Sequence, residues 1–156
     1  MRTAPQTMND SRTTIKDTTG LPTPAERPEA DIVIFDGQCV FCRGSVERLH
    51  RWDGGRRLAF LSLHSPEVAE RWPELSHEQM MREMYVITHD GRKYAGARAF
   101  RYLTRRLPRL WPLAPVMHLP LSLPLWQFLY LRVAAWRYRI AGRQCADDSC
   151  KVHFDR

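Results

Sequence analysis

The chain has 156 residues, 44% of them hydrophobic and 26% charged, with a formal net charge of +7. That length and balance suit one globular domain with a real core. Four cysteines are too few for a disulfide-dense secreted scaffold.

Residues 1–30 are rich in Thr and Pro, and their apolar residues (Met8, Ile15, Leu21) are scattered. They read as a disordered tail, with order beginning near Asp31. No apolar leader-like run occurs among them, which predicts a cytoplasmic protein. In that compartment a close Cys pair is catalytic or metal-binding more often than structural.

"DIVIFD" (Asp31–Asp36) is short, apolar and β-branched at three successive positions, the pattern of a buried strand. Gly37 permits a sharp turn. From Val40 the period changes: Cys42, Val46, Leu49 and Trp52 recur at helical spacing, and "DGG" (53–55) stops the helix. "RLAFLSL" (Arg57–Leu63) reads as a second strand. Ser65 and Pro66 then open a helix that Pro73 ends. "SHEQM" (Ser76–Met80) reads as a further helical turn or loop. "EMYVITHDGRKYAG" (Glu83–Gly96) reads as a hairpin turning at "HDG". Ala97–Leu107 places Phe100, Leu103 and Leu107 on one helical face. The order is β-α-β-α-β-β-α.

Five prolines (Pro108, Pro112, Pro115, Pro120, Pro124) break the next segment, leaving a short Pro-bounded helix. A longer helix is expected from about Leu125 to Ile140, ending at Gly142. Its stripe of Leu125, Phe128, Leu129, Val133, Trp136 and Ile140 is expected to cover the sheet. Arg132 interrupts the apolar run before it can span a membrane. The domain should thus cover residues 31–143. Residues 144–156 form a C-terminal tail with a second Cys pair, Cys145 and Cys150.

Charge is uneven. Between Asp90 and Asp147 there is no acidic residue, while eleven Lys and Arg side chains lie in that span. Such a block is either a solvated face or a site for weak association with an anionic membrane or nucleic acid.

The chemistry concentrates at "FDGQCVFC". A C-x-x-C at a strand-to-helix junction puts Cys39 beside the unpaired N–H groups of the helix start. Those groups and the helix dipole favour a thiolate. Cys42 follows almost one turn later, close enough to attack a mixed disulfide. The expected roles are an exposed, attacking Cys39 and a recessed, resolving Cys42. Asp36 is either a turn-former or a proton carrier, and Gly37 serves backbone geometry. Two alternatives remain: a zinc site made with Cys145 and Cys150, and buried inert thiols. The histidines show no ligand spacing. No flavin, nicotinamide or phosphate-binding motif is visible, so no cofactor is expected and an external reductant is required. The expected substrate is a disulfide-containing protein or a small thiol. The rival class is a non-enzymatic, redox-switched module that docks through the basic aromatic C-terminal third.

"FDGQCVFCRGSV" resembles the D-G-x-C-x-x-C signature of the DCC family (DUF393) of thiol-disulfide oxidoreductases, in which Asp36, Cys39 and Cys42 form the Asp-Cys-Cys triplet. "FLSLHS" (Phe60–Ser65), "YAGARAFRYLTRRLP" (Tyr94–Pro108) and "YLRVAAWRYRIAG" (Tyr130–Gly142) resemble further segments of that family. The resemblance implies a thioredoxin-like α/β fold with additional C-terminal helices. It also implies thiol-disulfide oxidoreductase activity. Thioredoxins place a cis-proline just before their third strand. Here that place reads "MREMYV", and "CADDSC" matches no part of the signature.

Overall fold

A computed structural model of the chain describes residues 20–141. The elements run β1 (Asp31–Phe35), α1 (Val40–Trp52), β2 (Leu58–Ser62), α2 (Pro66–Arg71), α3 (His77–Arg82), β3 (Tyr85–Ile87), β4 (Lys93–Ala95) and α4 (Gly96–Arg106). A 3-10 stretch (Pro108–Leu113), α5 (Ala114–Met117) and α6 (Leu123–Ala141) follow. The sheet order is β2-β1-β3-β4. β1 pairs parallel with β2, aligning Val33 with Phe60, and antiparallel with β3, aligning Val33 with Val86. β4 closes the antiparallel side. A parallel βαβ unit joined to a hairpin and a helix is a thioredoxin-like α/β arrangement, as the chain order of apolar periods implied.

β1 is buried along its whole length, and alternation sorts its side chains to two faces. Val33 and Phe35 join Val46 and Leu49 of α1, Phe60, and Ala99 and Leu103 of α4. Ile32 and Ile34 join Leu61, Val68, Trp72 and Met80 under α2 and α3. Full burial of a side chain such as Phe60 or Leu103 contributes roughly 2–3 kcal/mol each. The segment before β3 that reads as a further helical turn or loop is a capped helix. In α3, Ser76 accepts from the Gln79 N–H, and the Gln79 side chain accepts from the Ser76 N–H.

Two expectations are corrected here. Order begins before Asp31: Leu21 is buried, and the Pro22 carbonyl accepts from the Phe60 N–H at 2.8 Å. Arg27 reaches Asp53 at 3.0 Å and the Leu58 carbonyl at 2.6 Å. An Arg able to satisfy a buried carboxylate and a strand-start carbonyl ties down a segment with few apolar residues. The second correction concerns α6. Leu125, Phe128, Leu129, Val133 and Trp136 do not cover the sheet, because they are 43–60% exposed. The opposite side of α6 packs inward instead. It is held by Gln127, which donates to Glu83 and accepts from the Ala97 N–H, and by Tyr130. Ile140 has no described side chain.

Candidate functional site

Asp36 follows β1, and its position at the strand end fixes the loop that enters α1. Its Oδ1 accepts from the Gln38 N–H at 3.0 Å, an Asx-type turn, and its carbonyl accepts from the Cys39 N–H at 3.2 Å. Gly37 sits where β2 passes closest. A Cβ there would lie 2.7 Å from Ser62 Oγ, so close approach, not a left-handed turn, favours glycine.

Cys39 is the N-cap of α1, with extended backbone angles (φ −89°, ψ 115°), and its Sγ accepts from the Cys42 N–H at 3.3 Å. Its carbonyl accepts from the Arg43 N–H, starting the helical ladder. The first turn of α1 carries no acidic side chain. The partial charges of the helix start act in favour of negative charge on Cys39 Sγ, and its burial acts against it. Both cysteines are thiols.

The exposure order is the reverse of the expected one. Cys39 is fully buried (0% exposed), whereas Cys42 is half-buried and lines a cavity of about 330 Å³. The cavity lies between α1, α4, α5 and α6. Its walls are almost wholly apolar, with Phe41, Phe100, Met117, Trp126 and Val133 among them. Asp36 and Tyr130 supply polar atoms, and the Trp126 indole N–H has no partner among the described residues.

Asp36 is buried, and its Oδ1 also meets His64 Nε2 at 3.1 Å. The His64 side chain is 28% exposed, so this pair connects the cavity wall to solvent. His64 showed no spacing that would single it out. Its link to the motif spans 28 residues and exists because β1 and β2 are adjacent parallel strands ending at the same level. The His64 and His77 rings lie 5.4 Å apart, centroid to centroid.

A family model of DCC1-like thiol-disulfide oxidoreductases matches residues 33–143. The chain belongs to that family. The match starts within β1 and runs through α6, so the Asp-Cys-Cys triplet and the cavity both lie inside the family's domain. No curated protein and no solved structure matches the chain.

In "MREMYV", the segment where the resemblance led to a search for a cis-proline, Met84 lines the cavity. No cis peptide occurs among the described residues. The Met84 N–H donates to Tyr130 Oη at 2.7 Å, and its carbonyl accepts from the Gly96 N–H at 3.0 Å. Both main-chain groups are thus engaged within this DCC1-like domain. Cys145 and Cys150, and with them the zinc alternative, lie outside the described residues. Among the described residues no three His, Cys, Asp or Glu side chains gather at a metal-binding distance. No helix among them is long and apolar enough to cross a membrane.

Proposed function

We propose that the chain exchanges thiols and disulfides through Cys39 and Cys42, with Cys42 meeting the substrate and Cys39 resolving. The observation that carries this reading is the asymmetry of the two sulfurs. One lines an open apolar cavity. The other is covered and receives an N–H at the helix start.

In the reducing direction the Cys42 thiolate attacks a substrate disulfide. One substrate sulfur leaves as a thiol, and a mixed disulfide remains on Cys42. The Cys39 thiolate attacks Cys42 Sγ and expels the second substrate thiol. Two electrons have passed to the substrate, and the Cys39–Cys42 disulfide holds the oxidation until an external reductant from the cytoplasmic thiol pool removes it. In reverse, an incoming thiolate attacks Cys42, and Cys39 is the leaving group. A leaving thiolate departs faster when its charge is stabilised, and the Cys42 N–H and the helix start supply that stabilisation. Asp36 and His64 carry protons between the cavity wall and solvent.

The test uses the full chain with Cys145→Ser and Cys150→Ser, incubated with a small aromatic disulfide. Cys39→Ser is expected to trap a stable adduct on Cys42 without turnover, and Cys42→Ser to trap none. Turnover retained in Cys39→Ser/Cys42→Ser removes the function. Capture by Cys42→Ser alone reverses the order of the thiols.

A further inference from the structure

Among the described residues, twelve large hydrophobic side chains are strongly exposed, and all but Phe41 fall between residues 111 and 136. Scattered exposed apolar residues are ordinary, but a concentration of this kind marks a contact surface. It forms the outward side of α6 and the connection from the 3-10 stretch through α5. The two parts meet at the mouth of the Cys42 cavity, where Leu113, Leu129, Val133 and Phe41 are both cavity-lining and exposed.

The loop between α5 and α6 adds a second observation. Leu121 is 94% exposed and has a left-handed backbone (φ 64°). Such a backbone favours Gly or Asn. A leucine there is unfavourable in conformation and in hydration, and neither cost is offset within the described chain.

Charge decides what covers this face. From residue 91 to 146 the chain has no carboxylate side chain, and exposed Arg132 and Arg139 lie on α6 itself. A second copy docked about a two-fold axis would set this acid-free surface against itself, arginine facing arginine. Nucleic acid matches the charge, but bases stack on aromatic rings. Here much of the exposed apolar area is aliphatic, from Leu121, Leu125, Leu129, Leu131 and Val133. Acyl chains bordered by phosphate match both the aliphatic surface and the arginines. α6 is not apolar enough to span a bilayer, so it would lie in the interface plane, with arginine stems extended to the headgroups.

We propose that the exposed face of α6 and the α5–α6 loop docks on an anionic lipid surface, with the mouth of the Cys42 cavity at the contact. The inference is independent of thiol exchange and goes beyond it.

The test is co-sedimentation of the full chain with vesicles of phosphatidylcholine alone or with about one-third phosphatidylglycerol. Binding is expected to the mixed vesicles and to weaken with added salt. Arg132→Gln/Arg139→Gln should weaken it roughly 25-fold, about fivefold for each charge at the surface. Leu121→Asn/Phe128→Ser should weaken it by about tenfold or more. Both positions are exposed, and Asn tolerates the left-handed backbone, so folding is preserved. Cys39→Ser/Cys42→Ser should bind as wild type, which separates this result from any failure of the exchange reading. No sedimentation with mixed vesicles at low salt overturns the proposal. So does a dimer in solution that Leu121→Asn/Phe128→Ser dissolves, or single-stranded DNA binding that the same pair abolishes. A lower melting temperature of the unbound Leu121→Asn/Phe128→Ser protein would assign the face to an occupant within this chain, and would also overturn it.

Discussion

The reversed exposure of the two thiols can be measured directly. In a Cys145→Ser, Cys150→Ser background, Cys39→Ser leaves Cys42 alone and Cys42→Ser leaves Cys39 alone. Cys42 borders the cavity and reacts from the folded state. Cys39 is 0% exposed and caps α1. A reagent reaches it only after the first turn of the helix opens. Losing an N-cap costs about 1–2 kcal/mol, and each ~1.4 kcal/mol is a factor of ten in population. The opened fraction alone therefore lowers the Cys39 rate roughly 5- to 30-fold. Thiolate content must not confuse the comparison, because the helix start favours charge on Cys39 Sγ. The assay is thus the iodoacetamide rate followed with rising pH until it levels, where both sulfurs are fully ionised. The plateau rate for Cys39 is expected to be about fivefold or more below that for Cys42. A Cys39 plateau equal to or above that of Cys42 would refute the burial argument and return the attacking role to Cys39.

Three further outcomes are expected. Gly37→Ala forces a Cβ to 2.7 Å from Ser62 Oγ, an overpacking that should cost about 1–3 kcal/mol in urea unfolding. Adding Ser62→Ala should recover part of that loss, and strict additivity of the two substitutions would show that the contact is not the cause. Asp53→Ala strips the buried partner from Arg27 and from the Arg57 and Leu58 N–H groups. It should cost about 3–5 kcal/mol by the same measurement, and a loss under 1 kcal/mol would mean that residues 20–30 are not clamped there. Tyr102 is held above its ordinary value near 10, first by burial and then by its hydrogen bond to Asp31. The folded state therefore keeps a proton that the unfolded chain releases. Stability from this group is complete below about pH 10 and falls as pH rises beyond it. Tyr102→Phe should flatten that alkaline decline, and an unchanged slope would mean that another group titrates there.

The element order was legible because each strand and helix carries its own period. "DIVIFD" is apolar without interruption, as a strand covered on both faces must be. Val46 and Leu49 then mark the inward side of α1. The motif residues were legible because a strand-to-helix junction brings Asp36, Cys39 and Cys42 together by local geometry alone. Which sulfur is covered was not legible, since the cavity that Cys42 borders is walled by side chains from α4, α5 and α6 far along the chain. His64 was missed for the same reason: it meets Asp36 through parallel strand pairing. The orientation of α6 could not be read from its period because the helix is apolar nearly all round. Trp126, Tyr130 and Ala134 turn toward the cavity, and Leu125, Phe128 and Trp136 turn outward. The deciding residue is Gln127, whose amide finds the Glu83 carboxylate and the Ala97 N–H only on one side. The N-terminal boundary was placed too late because Arg27 anchors by charge and hydrogen bonding, which a search for apolar runs does not register.

On the exchange reading, the closed backbone at Met84 and the cavity wall together constrain how a substrate is held. With the Met84 N–H given to Tyr130 and its carbonyl to Gly96, Met84 offers a substrate chain no strand-like pairing. Affinity must then come from filling the cavity. At about 330 Å³ it lies near the lower end of ligand-pocket sizes, roughly 300–1,000 Å³. It would take one apolar group next to the reacting sulfur and not a length of chain. Asp36 in the wall works against a carboxylate close to that sulfur, since an anion there would face the buried acid with little solvent to screen it. Selectivity should therefore follow the bulk and charge of the group beside the disulfide and be nearly indifferent to peptide sequence farther away. A disulfide flanked by an aromatic or aliphatic group should react faster than one flanked by a carboxylate. Asp36→Asn should narrow that gap, because it keeps the Asx-turn acceptor and removes the charge.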